Sequence, residues 1–282
     1  MAEDDKYPED SGRRRFVKGV VGSAGMAGVG AGGVAAIDTI TNPTGKGGGR
    51  TTYFGVENIS GPAPRAMPLV PIEIDDEGFI KGVYPDTQEV QQRGQTVKVA
   101  RMQLGGITYE VDWFQYCGVQ EYQGLRINYD GDNYFRYTGG PSSYDWQPTS
   151  GRANISDFEN YETFEPSTGI GDADRGKPAL ASWRSQNVDN TIPIQLIRSK
   201  QLEQVIANGD SSDPAIKFLK AATQDGMMAI LNKCTHFCCV PGFRKSTYGN
   251  GENNIYCPCH QSIYDPFSIV KRSFVAYPRP GD

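Results

Sequence analysis

Histidine is scarce in this chain. Only His236 and His260 occur in 282 residues, which excludes any site that needs three or more imidazoles. A basic footprint is also missing. The 28 Lys and Arg are outnumbered by 33 Asp and Glu, for a net charge of −5, and no long basic run occurs. A phosphate-backbone partner needs such a footprint, so no nucleic acid is expected. Charge is modest at 22%, against 11% aromatic residues, which excludes disorder throughout. What is plentiful is Gly (34) and Pro (18), the mark of a loop-rich fold. The length allows one large or two small domains.

Residues 1–12 are acidic and polar and are expected to form a disordered cytoplasmic tail. Gly12-Arg13-Arg14-Arg15-Phe16-Val17-Lys18 follows, and Gly19 to Ile37 then carry no charge. This order resembles a twin-arginine export signal, with Gly12 where Ser or Thr is usual. The uncharged stretch just reaches the roughly 20 residues that span a bilayer. No A-x-A cleavage site precedes Asp38, so 13–40 is expected to stay as a signal and membrane anchor. Arg13, Arg14, Arg15 and Lys18 hold the N-terminus inside. The expectation is a single-pass cell-membrane protein, crossing at 19–37, with an extracytoplasmic head. Residues 41–71 read as a tether. Asn42 to Arg50 is flexible by composition, and Gly61 to Pro71 is Pro-rich and stiff.

Residues 72–225 read as a base of short strands and turns. Val97–Met102 and Ile107–Val111 flank Gly105-Gly106, a hairpin signature. Asp130-Gly131 marks a second between Leu125–Tyr129 and Tyr134–Tyr137. Thr191–Ile197 reads as a strand that Pro193 favours as an edge. Asp213 and Pro214 open a helix with Ile216, Leu219 and Ala222 on one face. Lys200–Ala207 is a second helix, capped by Ser199 and followed by Gly209. Pro141–Pro178 offers no assignable pattern. Gly226–Asn232 reads as a buried strand that leads into a final region, 226–282.

That region holds both histidines and five of the six cysteines, in two short boxes. One is Cys234-Thr235-His236-Phe237-Cys238-Cys239. The other is Cys257-Pro258-Cys259-His260-Gln261-Ser262. Two loops that each give a thiolate and an imidazole are a metal-site pattern. Zinc on two Cys and two His leaves Cys238, Cys239 and Cys259 unexplained. Haem attachment needs C-x-x-C-H, and the second box is one residue short.

C-x-H-x-x-C followed by C-x-C-H resembles the Rieske iron–sulfur proteins, in their cytochrome bc-complex branch. The resemblance covers about 50 residues at motif level. It implies a mainly-β fold: an antiparallel β-sandwich with a small cluster-binding subdomain, here with an enlarged base region. It implies a [2Fe–2S] cluster held by Cys234 and Cys257 on one iron and by His236 and His260 on the other. Cys239 and Cys259 match the family's disulfide, with Cys238 a second candidate for Cys259. Ser262 and Tyr264 match residues that hydrogen-bond the cluster sulfurs and raise its potential. His260 matches the ligand that hydrogen-bonds quinol and accepts its proton. The implied partners are cytochrome b, a quinol, and a cytochrome c or copper-protein acceptor. The alternative is the Rieske subunit of another exported oxidoreductase, such as arsenite oxidase or nitrate reductase. An oxygenase would need a second iron on further histidines, and both are committed.

The chain departs from the family at three places. Phe237 and Cys238 stand for Leu and Gly, and Gln261 stands for Gly. Cys117 and Cys238 read as buried free thiols, or as a pair if they are close. The tail Phe274–Pro280 resembles the family's proline loop, expected to cover the cluster from a third side.

Overall fold

The computed structural model describes residues 49–92, 95–111, 129–141 and 143–276. The 1–12 tail, the 13–40 segment, positions 41–48 and Cys117 lie outside the described residues. Among the described residues no helix is long and apolar enough to cross a membrane.

The architecture is mainly β and every strand pair is antiparallel, consistent with the expected sandwich. The hairpin at Gly105-Gly106 joins β6 (Gln95–Leu104) to β7 (Ile107–Glu110), and β5 (Thr87–Gln92) completes a three-stranded sheet. Both turn glycines have positive φ, 58° and 75°, as a two-residue hairpin turn demands. A short pair, β3 (Ile72–Ile74) and β4 (Ile80–Gly82), precedes them.

The main sheet has nine strands. Its centre is β1 (Gly49–Ser60), β2 (Met67–Val70) and β11 (Met227–Leu231). On one side come β10 (Ile192–Arg198), β9 (Lys177–Trp183) and β8 (Arg136–Tyr137). On the other come β14 (Ile263–Ala276), β13 (Ile255–Tyr256) and β12 (Gly242–Phe243). One sheet therefore runs through both the 72–225 and 226–282 regions.

Three expectations are corrected here. The described part of the 41–71 tether is not a tether. β1 pairs with β14 from Gly49↔Ala276 to Ser60↔Ile263, and β2 is buried throughout. Composition suggested an unpaired arm, but the prolines at 62 and 64 fall in the turn between these strands and interrupt no ladder. Second, β10 is an interior strand. Its Pro193 is tolerated because the ladder with β11 ends at Ile194↔Leu231. The Pro193 carbonyl still accepts from the Asn232 N–H at 2.8 Å, so the missing donor falls just past the last ladder bond. Third, the second arm of the expected Asp130-Gly131 hairpin pairs elsewhere. Tyr134 bridges Lys81, and Arg136 pairs with Ser182. The first arm lies largely outside the described residues.

Both expected helices form. α1 (Lys200–Asn208) starts at Ser199, whose side chain accepts from the Gln201 N–H. α2 (Pro214–Ala222) starts at Asp213, which accepts from the Ala215 N–H. Ile216, Phe218, Leu219 and Ala222 of α2 are buried. Phe218 stacks on Phe54 of β1 at 4.6 Å and meets Tyr109 of β7 at 6.4 Å. Burying such a ring contributes roughly 1.5–3 kcal/mol. It seats α2 between the main sheet and the three-stranded sheet.

Candidate metal centre

Three loops meet at one end of the main sheet. The first, residues 232–241, joins β11 to β12. The second, 257–262, is the hairpin loop of β13 and β14, whose closing pair is Tyr256↔Ile263. The third, 61–66, joins β1 to β2 and is brought alongside by Ser60↔Ile263.

The two Cys–His loops share one backbone pattern. In the first, the Cys238 N–H donates to the Cys234 carbonyl at 3.0 Å, and the Cys234 N–H donates to the Cys239 carbonyl at 2.7 Å. In the second, the Gln261 N–H donates to the Cys257 carbonyl and the Cys257 N–H to the Ser262 carbonyl, both at 2.9 Å. The fifth residue of each Cys–His box is left-handed, with φ 60° at Cys238 and 63° at Gln261. These are the two positions where the motif usually has Gly, and the geometry gives the reason: glycine adopts such φ without steric cost.

The loops place Cys234 and Cys257 inside, both fully buried, with their thiols hydrogen-bonded to one another. That bond, from the Cys257 S–H, holds the Cys234 thiol down at about 5. Burial opposes it, and the Tyr264 hydroxyl adds to it. The Cys257 thiol is pushed up, first by the same pairing and then by burial. Of the two, Cys234 is the one favoured as thiolate. Tyr264 is wholly buried, and its hydroxyl lies 3.3 Å from the Cys234 Sγ. It also accepts from the Thr235 N–H at 3.2 Å. Burial, then the hydrogen bond with Cys234, pushes the Tyr264 hydroxyl up, so it keeps its proton and can donate to the sulfur.

The imidazoles stand further out. His236 is half-buried and His260 exposed, with ring centroids 4.7 Å apart at 82°. The His236 Nδ1 is buried with no hydrogen-bond partner. An orphaned ring nitrogen beside a second imidazole is a pair of donors of the kind a metal site uses.

Cys239 and Cys259 form a disulfide joining the two loops, with Cα atoms 6.7 Å apart. The sulfurs of Cys239, Cys257 and Cys259 lie within 4.8 Å of one another, a cluster of cysteines able to hold a metal. With the disulfide formed, Cys257 is the one free thiol among these three, and its thiol partner is Cys234. Cys238 corrects the expectation of a buried free thiol. It is exposed and disulfide-bonded. Among the described cysteines only Cys234 and Cys257 are free, so the partner of Cys238 lies outside the described residues.

The described part of the tail does not form the third wall. Phe274–Ala276 runs along β14, at the end of that strand opposite the loops, and pairs with Gly49–Thr51. Residues 277–282 lie outside the described residues. The wall is Gly61-Pro62-Ala63-Pro64-Arg65-Ala66. The Ala63 N–H donates to the Ser262 Oγ at 3.2 Å. The Thr235 hydroxyl donates to the Arg65 carbonyl at 2.6 Å, and the Arg65 N–H returns to the Thr235 Oγ1 at 3.3 Å. Gly61 has φ 84°, and a side-chain carbon there would sit 2.7 Å from the Gln261 carbonyl and Ser262 Cα. Sequence reasoning gave this segment to the tether and left Thr235 without a role. The Gly-Pro-Ala-Pro run was the available signal, since such a run favours a short fixed loop as readily as an arm.

No protein-family model, curated protein or solved structure matches the chain.

Proposed function

We propose that the chain is a Rieske-type electron-transfer subunit that takes an electron from quinol, with proton coupling through a histidine, and passes it to a cytochrome or copper protein in a cytochrome bc-type complex. The observation that carries this reading is that two loops linked by a disulfide supply two buried free thiols, Cys234 and Cys257, and two imidazoles in ring contact, one with an orphaned Nδ1. A [2Fe–2S] cluster with two thiolates on one iron and two imidazoles on the other fits this donor set. Bound there, the cluster supplies one-electron acceptance at a potential roughly within −150 to +300 mV, above that of all-cysteine ferredoxins.

In this reading Cys234 and Cys257 hold one iron and His236 and His260 the other. Tyr264 donates to the Cys234 sulfur, which favours the more negative, reduced form. The Ser262 Oγ already accepts from Ala63, so its own proton is free for a further acceptor. Loop 61–66 and the disulfide hold the two loops together and exclude water from the sulfurs. His260 is the exposed ring, and its outer nitrogen receives the quinol hydroxyl proton, a role suited to imidazole near neutral pH. The 13–40 segment would anchor this head to the outer face of the cell membrane, beside cytochrome b. Iron and acid-labile sulfide assays on the purified chain test the reading. The expected result is both elements, together with a redox-sensitive visible spectrum that is lost in the His236→Ala and His260→Ala variants. Zinc without sulfide would overturn it.

A further inference from the structure

Phe237 is the most exposed large apolar side chain among the described residues, at 65%. The family pattern has Leu at this position. An exposed ring gains little from water exclusion, yet this one is fixed rather than free. Its centroid lies 4.5 Å from the His236 ring at 82° and 4.9 Å from the His260 ring at 33°. The backbone that follows is pinned by Cys238 and Cys239, both disulfide-bonded. The three rings form one cap. Within it Phe237 and His260 present faces tilted by only 33°, while His236 stands edge-on to both.

We infer that Phe237 is a specificity residue, an apolar plate against which the ring of a hydroquinone lies while its hydroxyl reaches His260. This inference rests on the proposed quinol reading and names what selects the substrate. The chemistry of the two neighbours defines the ligand. An aromatic face favours a planar ring by offset stacking. An exposed imidazole beside it favours a hydroxyl on that ring's edge. A planar aromatic alcohol satisfies both, whereas an aliphatic alcohol or an inorganic reductant satisfies at most one. Val240, three residues on in the same loop, is also exposed, at 45%.

The test uses the full-length chain carrying its iron–sulfur cofactor, with trimethylhydroquinone as the probe. In Phe237→Ala the apparent KM for the probe should rise about two- to tenfold, the value of one aromatic pair. Phe237→Leu, apolar but not aromatic, should fall between. Reduction by dithionite, which needs no ring contact, should proceed at the wild-type rate in both. An unchanged KM in Phe237→Ala overturns the inference and leaves Phe237 as a contact for protein. A second readout needs no electron transfer. Saturating trimethylhydroquinone should protect His260 from diethyl pyrocarbonate, read by mass spectrometry, in the wild type and not in Phe237→Ala. No protection in the wild type overturns the plate as well. If the chain proves to hold no iron, the quinol-oxidation reading falls, and the protection assay still decides whether Phe237 binds the ring.

Discussion

Tyr264→Phe removes one oxygen from the most buried part of the centre, and the structure sets the size of two separate effects. The hydroxyl makes two contacts that matter: it donates toward the Cys234 Sγ at 3.3 Å and accepts from the Thr235 N–H at 3.2 Å. Tyr264 is fully buried, so no water can replace it without opening the loops. In the metal-free chain the variant strands a buried N–H, which costs about 1–3 kcal/mol. In the loaded chain a second effect appears. A hydrogen bond to a charged acceptor is about twice as strong as a neutral one of about 1 kcal/mol. Adding an electron near the Cys234 sulfur should therefore strengthen the Tyr264 bond by about 1 kcal/mol. For a one-electron couple that corresponds to a potential lower by roughly 40 mV without the hydroxyl. Urea unfolding of the metal-free chain and a redox titration of the loaded chain measure the two effects separately. An unchanged or higher potential in a variant that retains its cofactor would refute the donor assignment. Unchanged unfolding would refute the claim that Thr235 depends on this oxygen.

Other outcomes follow from the same geometry. Gln261→Gly relieves a left-handed residue at φ 63° and should stabilise the chain by about 1–2 kcal/mol, a rise of several degrees in Tm by calorimetry. Gly61→Ala should do the reverse, since its φ is 84° and backbone atoms stand 2.7 Å from the new carbon. A loss of about 2 kcal/mol or more in urea, with faster cofactor release, is expected. Asp132 is clamped by the Arg136 guanidinium at 2.6 Å, with Arg152 at 3.1 Å, and the Arg136 bond holds its carboxyl below the ordinary 3.8. A carboxyl lowered by folding stabilises the native state fully above its unfolded pKa and loses that contribution as pH falls through the folded one. Asp132→Asn should therefore cost about 1 kcal/mol at pH 7 and show a shallower loss of stability below pH 4 in acid titrations followed by circular dichroism.

The parts legible in the sequence were those set by near neighbours. Asp213-Pro214 and Ser199 announce helix starts, Gly105-Gly106 announces a hairpin, and the run Met227–Leu231 has no polar residue and is buried throughout. The spacing of the two boxes marked the cysteines and histidines that the loops bring together. What failed depended on distant partners. Pro193 is edge-like on local grounds, and only the point where the β11 ladder stops makes it harmless inside a sheet. The Gly61–Ala66 turn has a tether's composition, but its fate was decided by β14, some 200 residues away. The unassigned Pro141–Pro178 stretch is held by single polar anchors rather than by any periodic face. The Gln147 Oε1 accepts from the Leu180 N–H while its Nε2 donates to the Thr138 and Leu180 carbonyls. The Tyr144 hydroxyl bridges to Phe243, and the Lys177 ammonium lies 4.0 Å from the Trp146 ring centroid. Such contacts leave no repeat to read.

The long pairing of the first and last strands has a practical consequence. Gly49 and Ala276 are register partners at the pole away from the cysteines, and the intervening strand is roughly 40 Å long. The two ends of the described body thus lie side by side at the far pole. A fusion partner or purification handle joined directly at Gly49 or Ala276 starts a full strand length away from the cysteine loops.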